Sequence, residues 1–177
     1  MKLETFPSVF PKLETARLVL RQPMSSDEDM IYALYRDPET VRYIMQPIET
    51  RAEATEILRS YMADFTNQER IFWTITDKAT LAPIGTVCYE WFHTPGLGEI
   101  GYDLLPTRRG SGYMQEALEP VIRYGFEDLQ LRDIEAFVTP ENTPSLSVLK
   151  RLGFSESGEK DGDLRLTLSR PGELSSK

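Results

Sequence analysis

The chain has 177 residues, 40% apolar and 27% charged, enough for one ordinary domain, too short for two, and unlike a globally disordered chain. Twenty Lys and Arg against 28 Asp and Glu give a net charge of −8, which argues against nucleic acid as the main partner and permits a cationic substrate. A single cysteine, Cys88, excludes an internal disulfide, and a single histidine, His93, argues against a Cys/His metal site, so no metal is expected. Residues 1–14 carry Glu4, Pro7 and Pro11 and do not read as a secretory signal. The longest uncharged run, 79–89, is broken by Pro83 and Gly85 and is too short to span a membrane. The expectation is a soluble cytoplasmic protein, with no membrane or nucleic-acid partner.

The elements follow in chain order. Residues 17–22 alternate and predict a first strand. Ser25 and Glu28 have the spacing of a capping box, with a helix running to about Arg36. A second box, Thr50 and Glu53, opens a helix whose Ala54, Ile57, Leu58, Tyr61 and Phe65 share one face. Residues 70–76 place Ile71, Trp73 and Ile75 on one strand face, 77–80 turn the chain, and 84–92 form the hairpin partner. Cys88 reads there as a small core residue, and Trp73 and Trp91 as sheet-face packing. After Thr94-Pro95-Gly96, residues 99–105 give the next strand. From Gly112 the period becomes 3.6, with Met114, Ala117, Leu118, Val121, Ile122, Gly125, Phe126 and Leu129 in one stripe. Pro120 interrupts the stripe and predicts a bend near Glu116. A buried strand at 134–139, a short helix capped by Asn142 and ended by Gly153, and two strands including 164–168 complete the chain. The order β, αα, βββ, α, β, α, ββ is that of one α+β domain with helices on its sheet. Its core spans about 12–169, and residues 170–177 form a frayed tail.

One segment speaks about chemistry. A strand ends at Pro106, the turn Thr107-Arg108-Arg109-Gly110-Ser111-Gly112 follows, and a long amphipathic helix starts at once. The two glycines permit positive φ and close approach of a ligand. The unpaired N–H groups and the dipole of the helix start suit a phosphate, with Arg108 and Arg109 as supplement. A dinucleotide fingerprint requires glycine where Gln115 stands, and a P-loop requires Gly-Lys-Ser/Thr where the chain has Gln115-Glu116-Ala117. On these residues alone a tight strand–helix connection explains the turn equally well.

The segment resembles motif A of the GNAT superfamily of acyl-CoA-dependent N-acetyltransferases, written Gln/Arg-x-x-Gly-x-Gly/Ala. Thr107 departs from the preferred first residue. Three further stretches resemble the branch typified by ribosomal-protein N-terminal acetyltransferases. They are Glu99-Ile100-Gly101-Tyr102, the Asn142-x-x-Ser145…Gly153-Phe154 signature, and the opening segment 13–21.

The resemblance implies a GNAT fold, a mixed central sheet splayed around the acetyl-CoA site between its fourth and fifth strands, with helices on both faces. It implies Asp103, Leu104 and Leu105 as backbone partners of the pantetheine arm. Arg108, Arg109, Gly110, Ser111, Gly112, Tyr113 and Met114 would then surround the pyrophosphate, and Asn142 and Ser145 would contact the cofactor. The reaction implied is direct transfer of an acetyl group to a primary amine in a ternary complex, at a protein N-terminus or on a small amine such as a polyamine or amino-sugar antibiotic. A non-catalytic acyl-CoA-binding module on the same fold is the alternative, and the chain is expected as a monomer or homodimer. Glu99 is the candidate base and Ser145 the candidate donor to the leaving thiolate. A tyrosine acid common among relatives is replaced by Leu149. Tyr102 is expected in the core. Tyr43, Ile44, Met45 and His93 are the candidate acceptor contacts.

Overall fold

Side chains alternate across a strand, so a sheet buried on both faces needs two apolar sets, and β3 has both: all seven residues of Ile71–Asp77 are buried. The computed structural model describes residues 5–172. Its strands are β1 (Leu13–Glu14), β2 (Leu18–Arg21), β3, β4 (Pro83–Thr94), β5 (Leu97–Leu104), β6 (Asp133–Val138), β7 (Ser155–Lys160) and β8 (Asp163–Ser169). Its helices are α1 (Glu28–Arg36), α2 (Pro38–Val41), α3 (Arg51–Thr66), α4 (Tyr113–Glu127) and α5 (Thr143–Arg151). The expected order holds, with the two-residue β1 and the one-turn α2 added. The described strands form one sheet in the order β1-β2-β3-β4-β5-β6-β8-β7, antiparallel except for the parallel pair β5–β6.

On one face Ile71, Trp73, Val87, Tyr89 and Ile100 meet the stripe of α4. The helix runs through Pro120, and Gly125 leaves room for Tyr89, whose hydroxyl donates to Val121 O at 3.1 Å. On the other face α1, α2 and α3 enclose a second core of Met30, Ile31, Leu34, Tyr35, Ala54 and Leu58. Tyr61 of α3 stacks on Phe72 of β3 with ring centroids 3.8 Å apart.

The caps divide. Thr50 and Glu53 form the expected box, with Thr50 N–H donating to Glu53 Oε2 at 2.8 Å and Glu53 N–H to Thr50 Oγ1 at 3.3 Å. Ser25 is no cap, which corrects the first expectation. Residues Ser25–Asp27 form a 3₁₀ turn and α1 starts only at Glu28. The buried carboxylate of Asp27 organises that start instead. It accepts from Met24 N–H, from both terminal nitrogens of Arg21 and from the Thr74 hydroxyl. A spacing rule in sequence cannot see Arg21 and Thr74 arriving from two strands.

The feature that positions the site is the β5–β6 pair. It lasts three residues, Leu97↔Asp133, Gly98↔Ile134 and Glu99↔Glu135. From Ile100 to Leu104 β5 keeps only β4, and from Ala136 to Val138 β6 keeps only β8. The sheet is therefore open between these strands, which are the fourth and fifth of the sequence reading. Among the described residues no helix is long and apolar enough to cross a membrane.

Candidate active site

The open side of β5 has a fixed backbone register. Leu105 N–H donates to Ile84 O at 2.9 Å and its carbonyl accepts from Arg108 N–H at 2.8 Å. Alternate residues of an antiparallel strand turn their backbone groups to opposite sides, so Leu104 and Tyr102 face the opening while Asp103 and Leu105 face β4. This corrects the expectation that Asp103 and Leu105 offer backbone partners there. Leu104 alone of the three does so, and its carbonyl accepts from Arg109 Nε at 3.1 Å.

Beyond Leu105 a 3₁₀ turn, Pro106–Arg108, leads to Gly110 and Gly112 with φ of 78° and 77°. Gly112 is the N-cap of α4, and a Cβ at Gly110 would meet nothing within 4 Å, so the left-handed backbone rather than space selects glycine there. The two arginines face protein. Arg108 Nη1 lies 3.2 Å from Asp77 Oδ2, and Arg109 Nη2 donates to Thr40 Oγ1 at 2.7 Å, tying the turn to α2. A third arginine, unassigned from sequence, lies at the turn. Arg17 donates to Ser111 O at 3.1 Å, pairs with Glu116 at 2.6 Å and covers the Tyr113 ring at 4.2 Å. Ser111 is exposed and Met114 is buried. Nothing in sequence separated Arg17 from an ordinary strand arginine, because its partners lie about 100 residues away.

On the α1–α3 side of the same strand is a cavity of about 190 Å³. Tyr35, Tyr61, Cys88, Glu90, Tyr102 and Asp103 line it, with the exposed Ile44 and Met45 at its edge. Tyr43 does not line it, and the side chain of His93, like that of Trp91, lies outside the described residues. The Tyr35 and Tyr61 hydroxyls are 2.7 Å apart, and Tyr35 donates to Asp103 Oδ2 at 3.2 Å. Burial, reinforced by the charge of Glu90, raises the Asp103 carboxyl to about 6, against the pull of the Tyr35 bond and of Arg109. Burial and the charge of Glu99 likewise raise Glu90. Glu90 lies over Gly101, where a Cβ would collide with its Oε1. Cys88 is held well above the ordinary thiol range by burial and by both carboxylates, so it rests as a thiol and not as a nucleophile.

Glu99 stands where β5 and β6 part, opposite Glu135, but does not line the cavity. Asn142 caps α5 through its Oδ1, which accepts from Ser145 N–H at 3.4 Å. Leu149 is fully buried. Tyr102 corrects the expectation of a plain core residue. Its ring packs on the core, but its hydroxyl reaches α5, 2.7 Å from Ser145 Oγ. Glu90, Tyr35 and Tyr61 escaped the sequence reading. The signal for Glu90 was a carboxylate in the middle of an otherwise apolar strand. Among the described residues no group of three or more His, Cys, Asp or Glu could hold a metal ion.

Comparison with known proteins follows the same lines. Residues 17–155 match the family model described as acetyltransferase (GNAT) domain. The uncharacterized N-acetyltransferase YoaA of Bacillus subtilis (strain 168) is 32% identical over 152 residues, covering 85% of this chain and 86% of its own. The crystal structure of an acetyltransferase (GNAT family) from Bacillus anthracis superposes with a TM-score of 0.80 at 20% identity, covering 90% of this chain and 98% of its own. The Microcin C7 self immunity acetyltransferase MccE, solved with acetyl-CoA and AMP, superposes with a TM-score of 0.77 at 17% identity, covering 88% and 94%.

Proposed function

Since the chain belongs to the GNAT acetyltransferase family, we propose that it moves an acetyl group from acetyl-CoA to a primary amine, by direct transfer in a ternary complex. The observation that carries this reading is the parting of β5 and β6 between a glycine turn on one side and an acid-lined cavity on the other. Fit to the cofactor is supported by the chain itself. The free backbone groups of Tyr102 on the open edge suit an amide-bearing arm. The left-handed turn at Gly110 and Gly112 aims the unpaired first N–H groups of α4 outward, where a pyrophosphate is favoured. When bound, acetyl-CoA supplies the activated acyl group. Glu99 takes the proton that the acceptor nitrogen must lose, and Ser145 Oγ–H faces the sulfur side of the opening from the first turn of α5.

The acceptor enters from the α1–α3 side, past Ile44 and Met45, on a chain slender enough for about 190 Å³. A protein N-terminus and a small amine both meet that limit. Glu90 and Asp103 favour a small cationic amine, because two carboxylates held in one cavity gain most from a ligand with more than one positive charge. The experiment is a screen of amine acceptors that reads free CoA and the acetylated product by mass. Heat stability gives a parallel measure. A ligand specific to the native state adds about 2.7 kcal/mol at a hundredfold excess over Kd. Acetyl-CoA is expected to raise Tm far more than NAD or ATP at equal concentration. No preference for acetyl-CoA would remove the cofactor assignment, and tight acetyl-CoA binding without turnover of any amine would favour a binding module.

A further inference from the structure

Breaking a thioester leaves negative charge on sulfur, and such a site works faster with a hydrogen-bond donor aimed at that charge. In this chain α5 offers no tyrosine for the task, since Leu149 is fully buried. Tyr102 occupies a singular place among the cavity-lining residues. It sits on β5, in the stretch without β6, it lines the acceptor cavity, and its hydroxyl spans the opening to α5 at 2.7 Å from Ser145 Oγ. The Ser145 carbonyl is farther, at 3.5 Å, so Oγ is the preferred partner.

We propose that Tyr102 is the positioning residue for Ser145: its O–H donates to Ser145 Oγ, so that the serine hydroxyl hydrogen points away from Tyr102 and donates to the leaving sulfur. This rests on the acetyl-CoA reading above. The chain of two hydroxyls polarises in one direction, which strengthens the outer donor. No bond to either oxygen breaks, and neither hydroxyl loses its proton. Burial pushes the Tyr102 phenol up to about 12, so it remains a donor across the working range of pH. Asn142 Oδ1 on Ser145 N–H fixes the backbone from which the hydroxyl projects. A structural tyrosine would need only its ring on the core, and Tyr102→Phe keeps that ring.

The test uses CoA itself as the probe and reads its thiol, independently of any acceptor. The thiolate of enzyme-bound CoA is followed by ultraviolet absorbance across pH, in the wild type, Tyr102→Phe, Ser145→Ala and Ser145→Thr. A charge-assisted donor is expected to make bound CoA ionise about one pH unit below free CoA, a tenfold effect. Ser145→Ala is expected to abolish this difference, Ser145→Thr to keep it, and Tyr102→Phe to lose at least threefold. CoA affinity measured by calorimetry at pH 6, where the thiol is protonated, is expected to stay within a few-fold in Tyr102→Phe. A folded Tyr102→Phe whose bound CoA titrates like the wild type overturns the proposal, as does a wild type in which bound and free CoA titrate alike. Failure of the wild type to bind CoA at all is a different result, which removes the acetyl-CoA reading and the relay with it.

Discussion

Asp103→Asn isolates the price of an acid-lined cavity. The native carboxyl is raised from an ordinary 3.8 to about 6, burial being the first cause and the neighbouring Glu90 the second acid effect. A raised carboxyl binds its proton more tightly folded than unfolded, so its stabilising contribution is present below pH 3.8 and is lost as pH rises through about 6. Roughly two pH units at about 1.4 kcal/mol each place the full cost of the ionised form near 3 kcal/mol, as an order of magnitude. The linkage relation gives about half of that at pH 5 and all of it by pH 8. Asparagine matches the shape, can accept from Tyr35 and carries no charge. The variant is therefore expected to be more stable than the wild type by about 3 kcal/mol at pH 8, with a smaller gain at pH 5. At about 2–4 °C per kcal/mol for a chain of this length, Tm should rise by about 6–12 °C at pH 8. Denaturant unfolding and calorimetry at the two pH values check this. The same variant should bind cationic acceptors less well, a site whose stability is sacrificed to function. An Asn variant no more stable than the wild type at pH 8, or a gain equal at both pH values, would refute the reasoning.

Other outcomes follow from individual residues. Gly112→Val forces a β-branched residue to a φ of 77°, costing about 1–2 kcal/mol in stability, and should severely weaken acetyl-CoA binding by calorimetry at low and high salt alike. Arg109→Ala should weaken it less and more at low salt than at high, while releasing α2 from the turn by removing the contact to Thr40. Glu99→Gln should leave acetyl-CoA affinity within a few-fold and lower kcat by roughly 10² to 10⁴, less at high pH, where more of the acceptor amine is already neutral; an unchanged kcat with a verified acceptor returns Glu99 to an ordinary strand carboxylate. Gly125→Ala drives a methyl group against the Tyr89 hydroxyl and should cost about 1–3 kcal/mol by denaturant unfolding, with no direct effect on the cavity.

The amino-acid sequence by itself determined the elements and the turn. Period 3.6 in α4, period 2 in β3, the Thr50–Glu53 box, the Asn142 cap and the two glycines before α4 are all local, since each depends on residues within one or two turns of each other. Ser25 failed for the complementary reason: the group that organises α1 is Asp27, held by Arg21 and Thr74 from separate strands. The site divides in the same way. Glu99, Ser145 and the Gly110–Gly112 turn stand out in a linear motif, whereas the meeting of Glu90 with Asp103, of Tyr102 with Ser145 and of Arg17 with Ser111 does not. Only the tertiary structure decided which of these groups share a cavity and which way the arginines turn. Strand pairing sets both: the side chains of residues far apart in the chain meet only after register is fixed, and register is the sum of many contacts between β4, β5 and β6 rather than the property of any one segment.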